Sequence, residues 1–432
     1  MKLWKIALRM GLWSLAFIMA MSLAACSSTP EREVIEITLM HGYGGSSLDH
    51  VNMRKIYEDF SLENPDVKVI LDSSPDLPII INKANDKLAA GRMPDIISTN
   101  GESRFLSNAI IRGKALNLKP YIDADEEFRN DIHPSILKAW MKDDAIYTLP
   151  NVLEIIGYWY NEEILREAGV TTDGTPYTEV KLPAAWEEFW EACDKIVNWA
   201  EEQQNGVKPL MMGSDQSLNF LGARIAGENK AGTEFMKKRT IDFNTPEFIK
   251  AMDALRKAYS YSDHSLVSRN DIFQQFKSSK LAFFFSGVWE SNDLAQSKNH
   301  EQIKYAAFPG YDGLKVSYES PSSGYVIGNT GDPKKIEASV RFLKYLLSDE
   351  VQKRMVEETY QAPSNPHIDL NWIKQVSPML GMALSVARES EIHIWTLESL
   401  WDEKAIEMLK NNLNRVINKT MSPLELSDLL HR

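Results

Sequence analysis

Strands and helices alternate along the first quarter of the chain, and this alternation constrains the fold more than any other feature. The spacing of apolar residues predicts strands at 34–39, 67–71 and 94–98, with helices at 48–63 and 77–90 between them. Strands that alternate with helices pair in a mostly parallel sheet, because each helix returns the chain to the same end of the sheet. Ligands of such sheets bind beyond the carboxyl ends of the strands. The loops that follow the first and third strands are therefore the first candidates for a binding surface.

The first 25 residues have the composition of a signal peptide. Three cations precede an apolar run at 11–21, which is too short for a stable membrane span. The Leu-Ala-Ala-Cys sequence at 23–26 resembles the signal of bacterial lipoproteins. This resemblance implies that Cys26 receives a lipid and that 26–33 form a tether, so we expect an extracytoplasmic protein anchored to the cell membrane. An ordinary secretory signal that happens to precede a cysteine is the alternative.

Charge and cysteine content narrow the possible functions. The formal charge is −12, and loss of the three signal-peptide cations takes it to −15, so no basic field is available to attract nucleic acid. After Cys26 the sequence contains only Cys193, which leaves no pair for an intramolecular disulfide and no cysteine cluster for zinc. The length, at about 150 residues per domain, predicts two or three domains. No second apolar stretch reaches membrane-spanning length, so further membrane contact would need a protein partner.

Short motifs follow one another in a characteristic order along the chain. They are GRMPDI at 91–96, AIYTLP at 145–150, YWYNE at 158–162, LPAAWEEF at 182–189, KLAFFFSGVW at 280–289, PSSGYVI at 321–327 and NKTMSP at 418–423. This order resembles that of the family 1 extracellular solute-binding proteins, the maltose-binding-protein-like sugar receptors of ABC importers, over residues 34–429. Asn161 and Asp332 within or beside these motifs are also predicted helix N-caps.

The resemblance implies a two-lobed α/β fold. In this periplasmic-binding-protein-like fold, discontinuous α/β lobes are joined by a hinge, and the cleft between them closes on a ligand by hinge bending. We expect the chain to cross between the lobes near 147–150, 281–285 and 324–327. The expected N-terminal lobe is 34–147 with 283–323, and the expected C-terminal lobe is 148–282 with 324–432.

A sugar receptor needs aromatic rings and directed polar groups in that cleft. Sugar rings have apolar C–H faces surrounded by hydroxyls, so aromatic side chains stack on the faces and planar polar groups bind the edges. Trp289 matches the position where the family places a stacking tryptophan, and the stretch with Trp395 and Trp401 also reaches the cleft in the family. Since those two lie six residues apart, we expect only one of them to contribute. The polar candidates are Asn100, Glu102, Tyr43, His41, Ser323, Gly324 and Asn219.

Other roles remain open for some of these residues and for the chain. Asn100 and Glu102 could equally cap the helix that follows them. The sequence has no nucleophile elbow, zinc-protease motif or phosphate loop, although its 60 acidic residues would allow a glycosidase with two carboxylates. A receptor for a polyamine, a peptide or an ion is a closer alternative, because an acidic surface suits cations. We expect a monomeric receptor, without catalytic residues, metal or cofactor, that binds a carbohydrate (an oligosaccharide in particular) and delivers it to the permease of an ABC importer.

Overall fold

Helices surround two large β-sheets in the computed structural model of the protein, and the described residues also form a small two-stranded sheet. The structure describes residues 34–75, 77–99, 103–238, 242–262, 265–321, 324–401 and 403–431. The strands, numbered along the chain, are β1 (Ile35–His41), β2 (Val67–Ser73), β3 (Ile96–Ser98), β4 (Met141–Lys142), β5 (Ala145–Ile146), β6 (Leu153–Asn161), β7 (Phe283–Gly287), β8 (Ile303–Ala306), β9 (Phe308–Pro309), β10 (Lys315–Pro321), β11 (Tyr325–Ile327) and β12 (Ile392–Ile394).

The helices connect these strands and cover the sheets. Their bounds are Leu48–Glu63, Leu77–Ala89, Ser103–Ile111, Lys119–Asp123, Glu126–Asn130, Pro134–Trp140, Glu162–Glu167, Trp186–Gln203, Ser214–Ala226, Lys230–Phe235, Pro246–Ser260, Arg269–Lys277, Ser291–Ala295, Pro333–Leu347, Asp349–Thr359, Leu370–Val376, Pro378–Arg388, Leu397–Leu400, Glu403–Ile417 and Pro423–Leu430. Short 3-10 turns span Val288–Glu290, His300–Gln302 and Tyr311–Gly313. Within the described part of the chain, none of the helices has the length and apolar character needed to cross a bilayer.

The first sheet has the strand order β11-β3-β1-β2. β1 pairs in parallel with both β2 and β3, whereas β11 runs antiparallel to β3. The predicted mostly parallel sheet is therefore confirmed. Because the three parallel strands end at one edge, the loops that follow them meet there, beside the start of β11.

The second sheet has the strand order β12-β10-β6-β7, with β8 added to β6 and β9 added to β10. Adjacent side chains of a strand point to opposite faces, and both faces of this sheet are covered. Tyr158 packs in a large apolar cluster with Phe283 and Phe285, while Trp159 packs on the other face with Phe284. The run of three phenylalanines is thus a strand that is buried on both sides.

Two lobes form around the two sheets, and they correct two of the expected boundaries. Residues 283–321 belong to the second sheet instead of the N-terminal lobe, because β7 pairs with β6. Residues 325–355 belong to the first lobe instead of the C-terminal one, because β11 pairs with β3 and the helix Pro333–Leu347 packs its apolar face on the first sheet. Both boundaries depend on pairing between strands that are far apart in the sequence. The local pattern of apolar and polar residues does not determine such pairing.

Three segments carry the chain between the lobes. The first, 150–152, follows Leu149, whose backbone exchanges hydrogen bonds of 3.2 and 2.9 Å with that of Tyr325. The second joins the end of β10 to the start of β11. The third is 360–364, where the Ala362 carbonyl accepts a hydrogen bond from the N–H of Leu153 at 3.1 Å. The expected crossings near 147–150 and 324–327 agree with this arrangement, whereas the one near 281–285 is wrong because β7 lies inside the second sheet.

One buried side chain ties the first and third crossings together. Gln352 has 0 % of its surface exposed. Its Nε2 donates to the carbonyls of Asn151 at 2.9 Å and Leu346 at 2.8 Å, and its Oε1 accepts from the N–H groups of Ser364 at 2.8 Å and Asn365 at 3.2 Å. These four partners are backbone groups, and Nε2 also contacts Met355 Sδ at 3.5 Å, so a single amide fixes the two crossings relative to each other.

Local signals placed two helix starts correctly. The Asn161 Oδ1 accepts a hydrogen bond from the N–H of Ile164 at 3.1 Å. The Asp332 carboxylate accepts one from the N–H of Lys334 at 3.0 Å. Both predicted N-caps are therefore confirmed.

Candidate ligand-binding cleft

Each sheet turns one edge toward the crossing segments. In the second sheet this edge holds the carboxyl ends of β7, β10 and β12 and the start of β6, because β6 runs antiparallel to β7 and β10 while β12 is parallel to β10. A cleft of about 440 Å³, here called the interlobe cleft, lies between the two edges. It is lined by Tyr43, Val152, Leu153, Glu154, Arg269, Val288, Trp289, Gln361 and Ala362.

The loop after β1 forms the first-lobe wall of the interlobe cleft. Tyr43 lies in this loop, and its hydroxyl accepts a hydrogen bond from Gln361 Nε2 at 3.2 Å. Arg54 holds the loop from the following helix, since its Nη1 donates to the carbonyls of Tyr43 and Gly45. At Gly44 the loop packs so closely on Ser74 that an added Cβ would lie 2.5 Å from the Ser74 carbonyl carbon. The position of Tyr43 is thus fixed by the Arg54 side chain and by the close packing of the loop on Ser74.

His41 lies beneath this loop and not on its surface, which corrects its prediction as a ligand contact. The side chain is fully buried, and Nδ1 accepts a hydrogen bond from the N–H of Tyr43 at 3.1 Å. Nε2 has no partner among the residues that the structure describes. Burial, followed by the nearby charge of Arg54, lowers the pKa of His41 to about 4. A neutral His41 therefore supports Tyr43 from below.

Acid should weaken the fold through His41. Its pKa is about 4 in the folded protein and 6.5 ordinarily, so between these pH values the unfolded chain binds the extra proton and stability falls as the pH falls. From pH 7 to pH 5 we expect the free energy of unfolding to drop by about 2 kcal/mol more in the wild type than in His41→Asn, which does not titrate. Urea unfolding at both pH values measures the two losses. Equal losses would contradict this account of His41.

Trp289 forms the second-lobe wall. It sits in the 3-10 turn Val288–Glu290 that follows β7, and 42 % of its surface is exposed. The indole lies over Gly287, where an added Cβ would be 2.2 Å from the nearest ring atom. Trp289 therefore lines the interlobe cleft, and its contact with a ligand stays a prediction.

A buried carboxylate stands behind this wall. Glu290 Oε1 accepts hydrogen bonds from Ser286 Oγ at 2.7 Å, from Trp289 Nε1 at 3.0 Å and from Arg269 Nη2. Burial raises the pKa of Glu290, and the charge of Arg269 and the three donors oppose that rise. Arg269 itself is half exposed and lines the interlobe cleft. The second-lobe wall therefore combines the Trp289 ring with the Arg269 cation, and the buried Glu290 carboxylate balances the charge of Arg269.

Comparison with known proteins places the whole arrangement in a family. Residues 55–377 match the sequence profile of the bacterial extracellular solute-binding proteins. The chain belongs to this family. The resemblance predicted from the motif order is thereby confirmed, and so is the two-lobed fold.

Several relatives of this solute-binding protein are themselves described as sugar-binding. The multiple sugar-binding protein of Streptococcus mutans is 20% identical over 377 residues, which are 83% of this chain and 82% of that protein. A Streptococcus pneumoniae solute-binding protein, solved in complex with the blood group A-trisaccharide, is 24% identical with a TM-score of 0.77, covering 92% of this chain and 99% of that one. A chitin oligosaccharide binding protein is 18% identical with a TM-score of 0.76, covering 92% and 98%.

The two C-terminal tryptophans of the solute-binding protein have different surroundings. Trp395 follows β12, at the cleft edge of the second sheet, and packs partly on the core. Trp401 is only 5 % exposed, with its ring packed edge-on against those of Phe243 and Phe235. Trp401 is thus a core residue, which corrects its prediction as a ligand contact and leaves Trp395 as the candidate of the pair.

Asn219 and Gly324 lie away from the lining of the interlobe cleft. Asn219 is on the helix Ser214–Ala226, and its carbonyl accepts a hydrogen bond from the Tyr318 hydroxyl at 2.6 Å. Gly324 is buried at the second crossing, where its carbonyl accepts a hydrogen bond from the N–H of Thr99 at 2.8 Å. These contacts involve the backbone of both residues, and their predicted contacts with a ligand stay predictions. The remaining predicted residues, Asn100, Glu102, Ser323 and Cys26, lie outside the described residues, and their roles stay predictions.

Sequence reasoning missed Arg269, Glu154 and Gln361. Arg269 is 20 positions before Trp289 and begins a helix after a Ser268 cap, so its local pattern is that of any solvated helix start. A usable signal was Glu290, because an acid three positions after a buried strand predicts a cationic partner if it is buried too. Gln361 lies on the third crossing, which no local pattern marked.

Proposed function

We propose that this solute-binding protein captures an oligosaccharide in the interlobe cleft and delivers it to the permease of an ABC importer. The observation that carries the proposal is Trp289, an exposed aromatic ring on one wall of the cleft. An indole face stacks on the C–H face of a sugar ring. Polar groups suited to sugar hydroxyls lie nearby, among them the Arg269 guanidinium. Gln361 adds a buried Oε1 that has no partner within the described chain and can accept a hydroxyl hydrogen bond.

The spacing of the aromatic residues favours a ligand longer than one sugar ring. Trp289 follows β7 and Trp395 follows β12, at the same edge of the second sheet. Three strand spacings of about 4.8 Å separate these strands, so the two tryptophans begin roughly 14 Å apart. An oligosaccharide can reach both positions. The relatives described above, with their trisaccharide and chitin oligosaccharide ligands, support the same class of ligand.

The other ligand classes fit the interlobe cleft less well. A polyamine would need carboxylates around its ammonium groups, but the wall carries the Arg269 cation. A glycosidase would need two carboxylates facing the substrate, and Glu154 is the one carboxylate among the described lining residues. No group of three or more metal-ligating side chains occurs in the described part of the chain.

Closure would follow from contacts with both lobes. Tyr43 lies on the first lobe, Trp289 on the second and Gln361 on a crossing between them. A ligand that touches all three stabilises the closed form by the difference between its affinities for the closed and open forms. The permease would then bind the surface that closure creates. We assign the first lobe to 34–149 with 324–359 and the second to 153–321 with 362–432, acting as a monomer.

The lipid anchor is the part of the proposal that concerns residues 1–33. We propose that 1–25 are removed as a signal peptide and that Cys26 then carries the lipid, as the Leu-Ala-Ala-Cys sequence suggests. Growth with an alkyne-labelled palmitate should label the wild-type chain and leave Cys26→Ser unlabelled. A wild-type chain without label, or a labelled Cys26→Ser chain, would contradict the anchor.

Trp289→Ala should weaken oligosaccharide binding by at least about 1 kcal/mol, or about fivefold in Kd, because the stacking face is lost. The fold should stay intact, since Trp289 is a partly exposed residue in a turn. Calorimetric titration with the blood group A trisaccharide and chitin oligosaccharides measures the change. Tyr177→Ala is the matched control, because Tyr177 is 72 % exposed and does not line the cleft. An unchanged Kd in Trp289→Ala would remove Trp289 from the site.

A further inference from the structure

Trp289 is held from two sides by groups that lie behind the cleft surface. On one side, Glu290 Oε1 accepts the hydrogen bond of the indole Nε1 at 3.0 Å. On the other side, the six-membered ring lies over Gly287, where an added Cβ would be 2.2 to 2.5 Å from three ring atoms. Gly287 ends β7 and Glu290 ends the turn that follows it. The strand end and the turn therefore determine both the position and the tilt of the ring.

Glu290 also orients the second polar group of this wall. The same Oε1 accepts hydrogen bonds from Arg269 Nη2 and from Ser286 Oγ. Glu290 is 3 % exposed, whereas Arg269 opens to the cleft. A buried carboxylate is unfavourable unless it is paired and hydrogen-bonded. Three donors on one oxygen meet this requirement, and each donor is in turn restrained by the shared acceptor.

We propose that Glu290 is a positioning residue whose buried carboxylate holds the Trp289 indole and the Arg269 guanidinium as one preformed subsite for a single neutral sugar ring. This proposal rests on the proposed function, and it names the protein groups that contact the sugar ring. The indole takes the C–H face, and the remaining guanidinium N–H groups donate to hydroxyls at the ring edge. Groups that are already ordered need not lose freedom when the ligand binds. Because Glu290 balances the charge of Arg269, the subsite favours a neutral sugar over an anionic one.

Fluorine NMR tests the positioning role without any ligand. The full chain is labelled with 5-fluorotryptophan in a detergent that has no sugar headgroup, and the Trp289 line is identified by its loss in Trp289→Phe. We expect one narrow Trp289 line in the wild type. In Glu290→Met, which keeps the volume but removes the acceptor, the line should shift and broaden or split, and Gly287→Ala should move it as well. Glu290→Gln gives the same test with a smaller effect if Glu290→Met does not fold.

A control variant separates positioning from general loss of stability. Asn161→Ala removes a helix cap at the opposite end of β6, in the same lobe, and should leave the Trp289 line in place. An unchanged Trp289 line in the Glu290 variants would overturn the proposal. So would an equal change of the line in Asn161→Ala.

Binding measurements then show whether Glu290 acts through Trp289. With the blood group A trisaccharide and chitin oligosaccharides as probes, Glu290→Met should weaken binding about fivefold in the wild-type background and clearly less beside Trp289→Ala, where only the Arg269 contact remains to be lost. Equal losses in both backgrounds would overturn the proposal. If no sugar binds the wild type, the proposed function fails, while the fluorine spectra still decide the positioning role.

Discussion

We expect Gly324→Ala to lower the free energy of unfolding by about 3 kcal/mol. Gly324 has φ +60°, and an added Cβ would lie 2.3 Å from Leu149 O and from the N and Cα atoms of Pro150. These atoms belong to the backbone at the first crossing, so no side-chain rotation can relieve the contact. Moving the chains apart would also strain the two backbone hydrogen bonds between Leu149 and Tyr325. Urea unfolding followed by circular dichroism measures the loss.

Gly331→Ala provides a matched control for the close contact. Gly331 has φ +80°, and an added Cβ there would meet no described atom within 4 Å. It therefore shares the left-handed backbone of Gly324 without the crowding, and we expect a loss of about 1 kcal/mol. Equal losses in the two variants would show that the crossing does not require a glycine for its packing.

Gln352→Met should cause a loss of similar size, about 3 kcal/mol of unfolding free energy. Methionine fills nearly the same volume but cannot bond the carbonyl of Asn151 or the N–H groups of Ser364 and Asn365, so buried backbone groups lose their partners. Because these groups lie on the first crossing, on the third crossing and directly after it, the variant should also loosen the hinge. Hydrogen exchange at the amides of Ser364 and Asn365 should speed up together with the loss of stability.

Gln216→Met tests whether the effect comes from the hydrogen bonds or from burial. Gln216 is 2 % exposed, yet its Oε1 has no partner within the described chain. Replacing an unsatisfied polar group should cost less than about 1 kcal/mol or stabilise the fold. A loss in Gln216→Met as large as that in Gln352→Met would contradict the role assigned to the Gln352 amide.

Features with a local cause could be predicted from the sequence. The first sheet follows from strands and helices that alternate over short distances, and Asn161 and Asp332 act on helices that begin directly after them. The order of motifs predicted that Trp289 lies at the cleft. In the structure, Gly287 has no side chain and so leaves room for the Trp289 ring at that position.

Features that depend on contacts between distant segments could not be predicted in this way. The family resemblance predicted both Trp401 and Trp289 at the cleft, and only the packing of Phe243 and Phe235 around Trp401 distinguishes them. The same holds for the third crossing, where Gln361 meets Tyr43 across more than 300 residues of sequence. β7 was assigned to the wrong lobe because the apolar sequence of a strand does not determine which other strand it pairs with.

The central claim is that the interlobe cleft binds a neutral oligosaccharide, and thermal unfolding of the full chain with candidate ligands tests it most directly. The blood group A trisaccharide, chitin oligosaccharides and maltose-type oligosaccharides are compared with polyamines, peptides and metal ions. A ligand present at 100 times its Kd adds about 2.7 kcal/mol to the free energy of unfolding. We predict such stabilisation by at least one neutral oligosaccharide, reduced in Trp289→Ala and with the sugar recovered unchanged. Stabilisation only by polyamines, peptides or metal ions, or conversion of the sugar during incubation, would contradict the claim.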